Sequence, residues 1–311
     1  MRICVTGGAG FIGSTLADRL LALGHEVLVV DDLSRGRRRQ VPAEARFYAV
    51  DVAGPWLAPL LARERPAVIF HQAAQIDVRA SVRDPLADAR ANVLGTVNLL
   101  GAAAAAGTRR VVVASSGGAV YGDTDRVPTP EGAPTRPASP YGAAKLAVEA
   151  YCHSFSATSG LETVALRYAN VYGPRQDPHG EAGVVAIFAA RLLAGEPCVI
   201  NGDGRQTRDY VFVDDVVAAN VAALAAPPGV YNVGTGVETD VREIHRLLAA
   251  RAGSTAPPRT GPAQPGEQLR SAVDSTLFRA ATGWSPTVSL AEGLARTLAA
   301  FAARPAGGDA T

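Results

Sequence analysis

Tyr141 and Lys145 stand four residues apart in Tyr141-Gly142-Ala143-Ala144-Lys145, a spacing that places both side chains on one face of a helix. Lys145 is the single lysine among 30 basic residues. Every other positive charge is arginine, so the exception marks a place where a compact, rotatable ammonium serves and a planar guanidinium does not. An isolated lysine on an exposed helix face is the plain alternative. The neighbouring tyrosine favours chemistry, because a phenol beside an ammonium can act as a general acid or base once its pKa is brought down.

A second constellation supplies the partner for such chemistry. Thr6-Gly7-Gly8-Ala9-Gly10-Phe11-Ile12-Gly13 follows an apolar run and opens a helical pattern that continues to about Leu23. Glycines there permit a tight turn and close approach to a pyrophosphate, while the helix N-terminus offers amide donors and partial positive charge. Asp31 ends the next apolar run, Val27-Leu28-Val29-Val30, where a carboxylate accepts from adenosine ribose hydroxyls and repels a 2′-phosphate. Arg35 would favour NADP, but Asp31 outweighs it, and NAD is the expected cofactor. Bringing Tyr141 from about 10 to neutrality takes about 4 kcal/mol. Lys145 and a cationic nicotinamide ring can contribute that together, and Lys145 can also donate to the nicotinamide ribose.

These groups need a scaffold. Short β-branched runs at Ile3–Thr6, Val27–Asp31, Phe47–Val50, Val68–His71, Val111–Ala114 and Thr163–Arg167 alternate with longer helical patterns, the rhythm of parallel βαβ units. Several are almost wholly apolar, as befits a sheet covered on both faces. An α/β fold with a doubly wound parallel sheet is therefore expected, followed beyond Tyr172 by a smaller lobe of Gly- and Pro-marked elements. Val211–Val213 and Val230–Val233 are strand-like and could return to the main sheet. The expected division is 1–170 plus 211–235 for the dinucleotide domain and 171–210 plus 236–311 for the substrate lobe.

Composition excludes several classes. Net charge is +1 over 311 residues, so no global field draws the chain to nucleic acid or anionic lipid. The run Arg35-Gly36-Arg37-Arg38-Arg39 is a solvated loop or a nucleotide contact. Cys4, Cys152 and Cys198 are widely spaced, without metal-ligand patterns, which reads as reduced and cytoplasmic. No apolar span is long enough to cross a bilayer, and no metal site is expected.

In order and spacing, the motifs resemble the extended short-chain dehydrogenase/reductases with their Rossmann-like sheet, in particular their nucleotide-sugar epimerases, over nearly the whole chain. The resemblance rests on Thr6 to Gly13, Asp31-Asp32-Leu33-Ser34, His71-Gln72-Ala73-Ala74, Asn92, Ser115-Ser116-Gly117-Gly118-Ala119-Val120-Tyr121-Gly122, Tyr141-x-x-x-Lys145, Arg167 to Pro174 and Gly202 to Tyr210. It implies that Gly7, Gly10, Phe11, Ile12, Gly13, Asp31, Asp32, Ser34, Arg35 and Gly36 hold the dinucleotide. Asp51, Val52, Gln72, Ala73, Ala74, Gln75, Asn92, Ser115, Tyr168 and Ala169 join them, with Tyr141 and Lys145 beside the nicotinamide. On the sugar-nucleotide side it implies Ser116, Gly117, Tyr141, Asn170, Val184, Val185, Asn201, Arg208, Gln264, Arg270 and Ser271. The implied reaction is 4-epimerisation of a UDP-hexose, UDP-glucose to UDP-galactose, through a 4-keto sugar and retained NAD, by a homodimer built on Pro85 to Ala106 and Tyr141 to Thr158.

Departures from the family pattern keep alternatives open. Gly117 stands where relatives place a relay serine or threonine, so the role passes to Ser116, with Ser115 the other choice. Gly117-Gly118 lacks the Asp-Glu pair of the related 4,6-dehydratases. Gln264 replaces a common diphosphate-binding arginine, for which Arg270 or Arg259 can compensate. Ser271 matches a gate that is small in enzymes accepting N-acetylated sugars, and so permits UDP-GlcNAc. Other readings are epimerisation of UDP-glucuronate, a decarboxylase or reductase, and a catalytically silent NAD-binding regulator, against which Tyr141 and Lys145 speak.

Overall fold

The computed structural model describes residues 1–179, 183–262 and 268–303. Seven parallel strands form the main sheet: β1 (Arg2–Thr6), β2 (Glu26–Asp31), β3 (Arg46–Ala49), β4 (Val68–His71), β5 (Arg110–Ser116), β6 (Glu162–Tyr168) and a late arrival, Gly229–Val233. The intervening short strands are β7 (Asn170–Tyr172), β8 (Val199–Asn201) and β9 (Thr207–Phe212), which makes Gly229–Val233 β10; β11 (Glu238–Asp240) and β12 (Arg259–Gly261) follow it. The order across the main sheet is β10-β6-β5-β4-β1-β2-β3. It reverses direction beside β1, and a crevice at the strands' C-terminal ends is where such sheets take ligands.

Alternation along the strands builds two cores. Ile3, Val5, Val27, Val29, Val68 and Phe70 face Leu16, Ala17 and Leu20 of the helix Phe11–Ala22 and the helix Val213–Ala222. Cys4, Leu28, Val30, Ile69, Val111 and Val113 face the opposite layer, formed by the helices Leu57–Glu64, Gly95–Ala105 and Pro140–Ser159. Each such side chain, fully buried, contributes about 1.5–3 kcal/mol relative to exposure. The two layers therefore fix which strand ends reach the crevice.

The two late strands part company. Val230–Val233 lies in β10 and pairs with β6, Val233 opposite Tyr168. Val211 and Phe212 lie instead in β9, paired with β7 and β11 in a separate three-stranded sheet, and Val213 already begins the following helix. An apolar run has the same pattern whichever sheet it joins. The stretch expected as one helix from Pro85 to Ala106 is also interrupted: a short helix Pro85–Ala89 passes through a π-turn, Arg90–Leu94, before Gly95–Ala105. That turn rotates Asn92 into the protein, where it is buried.

Candidate active site

The Gly7 to Gly13 turn is shaped by close backbone contacts. Gly7 has φ +67, and a Cβ there would lie 2.5 Å from the Ala73 amide nitrogen; one on Gly13 would lie 2.2 Å from the Gly7 carbonyl oxygen. Gly10 caps the helix Phe11–Ala22 with no side-chain hydrogen bond and no acid in the first turn, so the amides and their dipole are left for an anion. Asp31, buried at the end of β2, accepts from Ala9 N at 3.0 Å and Leu33 N at 2.8 Å. Burial pushes its carboxyl above the usual range, against those two hydrogen bonds. Gly36 lets the next loop close on Asp31, since a Cβ there would sit 2.7 Å from Asp31 Oδ1. This cradle fits a dinucleotide.

The other residues expected to hold the dinucleotide are fixed by the protein's own contacts. Asp32 accepts from Ser34 N and Oγ at 2.9 and 2.6 Å. Asp51 caps Ala53 N, and Val52 is packed beneath Gly95. Gln72 donates to Tyr168 OH and Asn220 Oδ1, Ala73 N to Thr6 Oγ1, while Ala74 is half-buried. Asn92 accepts from Gln75 N and donates to Gln75 O, both at 3.0 Å, which pins the loop after β4. Ala169 N reaches Val233 O. Arg35 pairs with buried Asp77 at 3.5 Å, and Arg38 lies over the Phe47 ring, so these members of the basic run are engaged within the protein.

Ser139 caps the helix Pro140–Ser159 by accepting from Gly142 N, with Pro140 at its first position. Lys145 is buried, donates to Ala114 O at 2.9 Å, and lies 5.8 Å from the Tyr141 ring centroid. Burial pulls its pKa down to about 8, opposed by Asp88 and Glu149. Tyr141 is pushed up to about 12 by burial; its hydrogen bond with Ser116 works the other way, and Asp88 adds to the rise. The lowering expected from Lys145 is not seen in the protein itself, where Ser116 is the group that works against burial. Ser115 has a different fate: its hydroxyl donates to buried Glu149 at 2.5 Å. Of the two serines, Ser116 reaches Tyr141.

Just beyond Ser116 in the chain, Gly118 borders residues expected to meet a sugar nucleotide. Asn170 is exposed at the start of β7, and a Cβ on Gly118 would lie 3.7 Å from Asn170 Oδ1 and 4.0 Å from Ser271 Oγ. Gly183 caps the helix Val184–Leu193, again with no side-chain cap and no acid in the first turn. Val184 is half-buried there; the Val185 side chain is packed in the core, leaving its amide as the available group. Arg208 donates to Thr207 O, and Asn201 O accepts from Gln206. Arg270 is held by Glu238 at 3.0 and 2.5 Å, while Arg259 is exposed on β12. Gln264 lies outside the described residues.

Three contributors escaped the sequence reading. Asp88 is buried, accepts from Gln75 Nε2 and Asn92 Nδ2, and acts electrostatically on both Tyr141 and Lys145. Glu149, one turn beyond Lys145, forms a buried ion pair with Arg167; its i+4 spacing from Lys145 was the available signal. Asp209 accepts from Thr235, Gly236 and Val273 and so ties β9 to the chain around Ser271. Among the described residues no cluster of His, Cys, Asp and Glu could hold a metal, and no helix is long and apolar enough to cross a membrane.

A parallel sheet with a glycine turn at β1, an acid ending β2 and a Tyr–Lys pair beside the end of β5 defines an extended short-chain dehydrogenase/reductase. More closely, the chain belongs to the NAD-dependent epimerase/dehydratase family, whose model matches residues 3–234. It is 52% identical over 309 residues to a UDP-glucose 4-epimerase of Mycolicibacterium smegmatis, covering 97% of this chain and 98% of that one. Among solved structures it resembles the Thermotoga maritima UDP-glucose 4-epimerase with UDP-glucose, at TM-score 0.95 and 44% identity over 97% and 98% of the two chains. The Thermus thermophilus UDP-glucose 4-epimerase in complex with NAD matches at TM-score 0.92 and 44% identity, over 97% and 99%.

Proposed function

We propose that the protein is an NAD-dependent 4-epimerase interconverting UDP-glucose and UDP-galactose. The observation that carries this reading is the convergence of Ser116, Tyr141 and Lys145 between the glycine-turn cradle and the Asn170–Ser271 face. When bound, NAD supplies a reversible hydride acceptor and a positively charged ring. Tyr141 takes the proton from the sugar O4 with Ser116 bridging the two oxygens, as C4 gives up its hydride. Lys145 holds positive charge close to Tyr141. With the 4-keto sugar turned to present its other face, Tyr141 would return the proton to O4 as C4 is reduced again. Oxidation and reduction cancel.

Around this centre, Gly7 to Gly13 and Asp31 hold the dinucleotide, and Asn170, Arg208 and the Val184 helix N-terminus hold the UDP diphosphate. The nucleotide-sugar lobe comprises 171–210 plus 236–311, joined by Val211 and Phe212, which belong with the three-stranded sheet β11-β9-β7 and not with the dinucleotide domain. Gly117-Gly118 provides no acid–base pair for elimination, which disfavours 4,6-dehydration. A second reading, use of UDP-GlcNAc, is supported by the small Ser271 and the room above Gly118. We also propose a homodimer through the segments Pro85 to Ala105 and Pro140–Ser159, where Leu86 (82% exposed) and Leu94 (60%) leave apolar surface. The three free cysteines are all buried, in keeping with a cytoplasmic setting.

The test is to incubate the purified protein separately with UDP-glucose, UDP-GlcNAc and UDP-glucuronate and resolve the sugar products. UDP-galactose formed from UDP-glucose without added NAD is the expected result. Loss of water or CO2, or consumption of stoichiometric NAD, would overturn the reading. Light scattering checks the dimer.

A further inference from the structure

Gly117 is closed to a side chain chiefly by one residue, Val273. A Cβ built there would lie 2.7 Å from Val273 Cγ1, with Arg167 O at 3.3 Å and Tyr168 O at 3.4 Å. Gly118, its neighbour, meets nothing nearer than 3.7 Å. Val273 cannot readily yield the space. It is 1% exposed, packed with Val120 and Tyr121, and its β-branched side chain has little rotameric freedom. Its backbone is pinned on both sides: Thr129 N donates to Ala272 O at 2.8 Å, Asp274 N to Thr129 O at 2.9 Å, and Val273 N to Asp209 Oδ2 at 3.4 Å.

We infer that Val273 is the positioning residue that decides which hydroxyl serves Tyr141. By filling the volume of a side chain at 117, it bars a hydroxyl from that position and leaves the relay to Ser116, since Ser115 is spent on Glu149. The inference rests on the reading of Ser116 as the relay. It assigns a role to a residue that the motifs of the site do not include, and it makes the identities at 117 and 273 interdependent.

Moving the hydroxyl tests this. Ser116→Ala is expected to lower kcat with UDP-glucose about 100-fold with KM little changed. Adding Gly117→Ser should restore nothing while Val273 is present. Adding Val273→Ala as well removes Cγ1 and leaves only the two carbonyl contacts, which need a few tenths of an ångström of give; kcat should then recover at least about tenfold. A second measurement stands apart from catalysis: Gly117→Ser alone should lower the melting temperature by several degrees, and Val273→Ala should cost less in that background than in the wild type. Recovery by Gly117→Ser without Val273→Ala would overturn the inference, as would a folded triple variant with no recovery or a Gly117→Ser protein as stable as wild type. Full activity in Ser116→Ala would instead sink the relay reading, leaving the melting cycle to judge Val273.

Discussion

Glu149 receives the Arg167 guanidinium on both carboxylate oxygens, Nε to Oε1 at 2.8 Å and Nη2 to Oε2 at 2.6 Å, one helical turn beyond Lys145. Oε1 also accepts from Ser115, and Arg167 Nη1 donates to Tyr121 OH at 2.8 Å. The pair thus locks the Tyr141 helix to β6 and to the strand that ends in Ser116. Both partners are buried, so each charge depends on the other. Glu149→Gln should cost about 3–5 kcal/mol by leaving the guanidinium uncompensated, read as a fall in urea midpoint. A loss below about 1 kcal/mol, the scale of an exposed pair, would contradict this role.

Tyr141→Phe removes the hydroxyl that Ser116 contacts and leaves the cradle at β1 and β2 untouched. Turnover should fall by about 10²–10⁴-fold, the range of a lost general acid–base group, while the NAD recovered after denaturation stays at the wild-type amount. Lys145→Arg should reduce both, because a planar fork cannot occupy the position from which the ammonium meets Ala114 O. Wild-type turnover in either variant would remove the pair from the mechanism.

Lys145 also predicts a pH signature. Its pKa in the folded protein is about 8, lowered chiefly by burial, against about 10.4 in an unfolded chain. Below about 8 both states carry the proton and stability is flat; above it the unfolded chain binds more protons, so stability rises with pH. The buried ammonium is a destabilising feature at neutral pH. Burial holds the Cys4, Cys152 and Cys198 thiols high, which lowers stability over the same range, so the Lys145 contribution is read as a difference: in protein stripped of dinucleotide, stability relative to Lys145→Met should rise between about pH 8 and pH 9.5. The same slope in the variant would assign it elsewhere.

The strand ends that build the site were legible because buried parallel strands are continuous apolar runs: Ile3–Thr6, Val27–Asp31 and Val68–His71 fall within β1, β2 and β4. Tyr141 and Lys145 were legible through helical spacing. The placement of Val211 in the small sheet was not, because an apolar run does not encode its pairing partner. Asp88 reads as one more acid in a polar helical stretch. It is buried in the short helix that precedes the π-turn Arg90–Leu94, and that turn is a phase change that a regular 3.6-residue pattern does not display. Val273 is an apolar residue in a polar segment, and nothing local relates it to Gly117.

Asp31 holds the turn at both ends, taking Ala9 N on Oδ2 and Leu33 N on Oδ1. Asp31→Asn would set its amide nitrogen against one of those backbone donors and remove the charge directed at a ribose. Losing a charge-assisted hydrogen bond, about 1.5–3 kcal/mol, should weaken NAD binding about 10- to 100-fold. The preference for NAD over NADP should shrink, because the repulsion of a 2′-phosphate goes with the charge. Fluorescence titration of both dinucleotides reads both effects. An unaltered NAD affinity would place the adenosine ribose elsewhere.

Ser271 borders the space over Gly118 proposed to take the sugar. Its Oγ lies 4.0 Å from where a Cβ on Gly118 would be, with Asn170 Oδ1 the other neighbour at 3.7 Å, so the Ser271, Gly118 and Asn170 positions border one space. Ser271→Tyr would fill that space with a ring anchored on backbone already fixed through Thr129, Asp209 and Asp274. A hexose with a free 2-hydroxyl needs less room than its N-acetylated counterpart. The variant should therefore keep UDP-glucose turnover within a few-fold and lose at least about tenfold in kcat/KM for UDP-GlcNAc, a difference of about 1.4 kcal/mol in transition-state stabilisation. Parallel loss on both sugars would mean that the ring blocks the nucleotide itself. Unchanged discrimination would move the gate away from Ser271, with Gly118→Ala the next position to probe, since its Cβ enters the same space from the opposite wall.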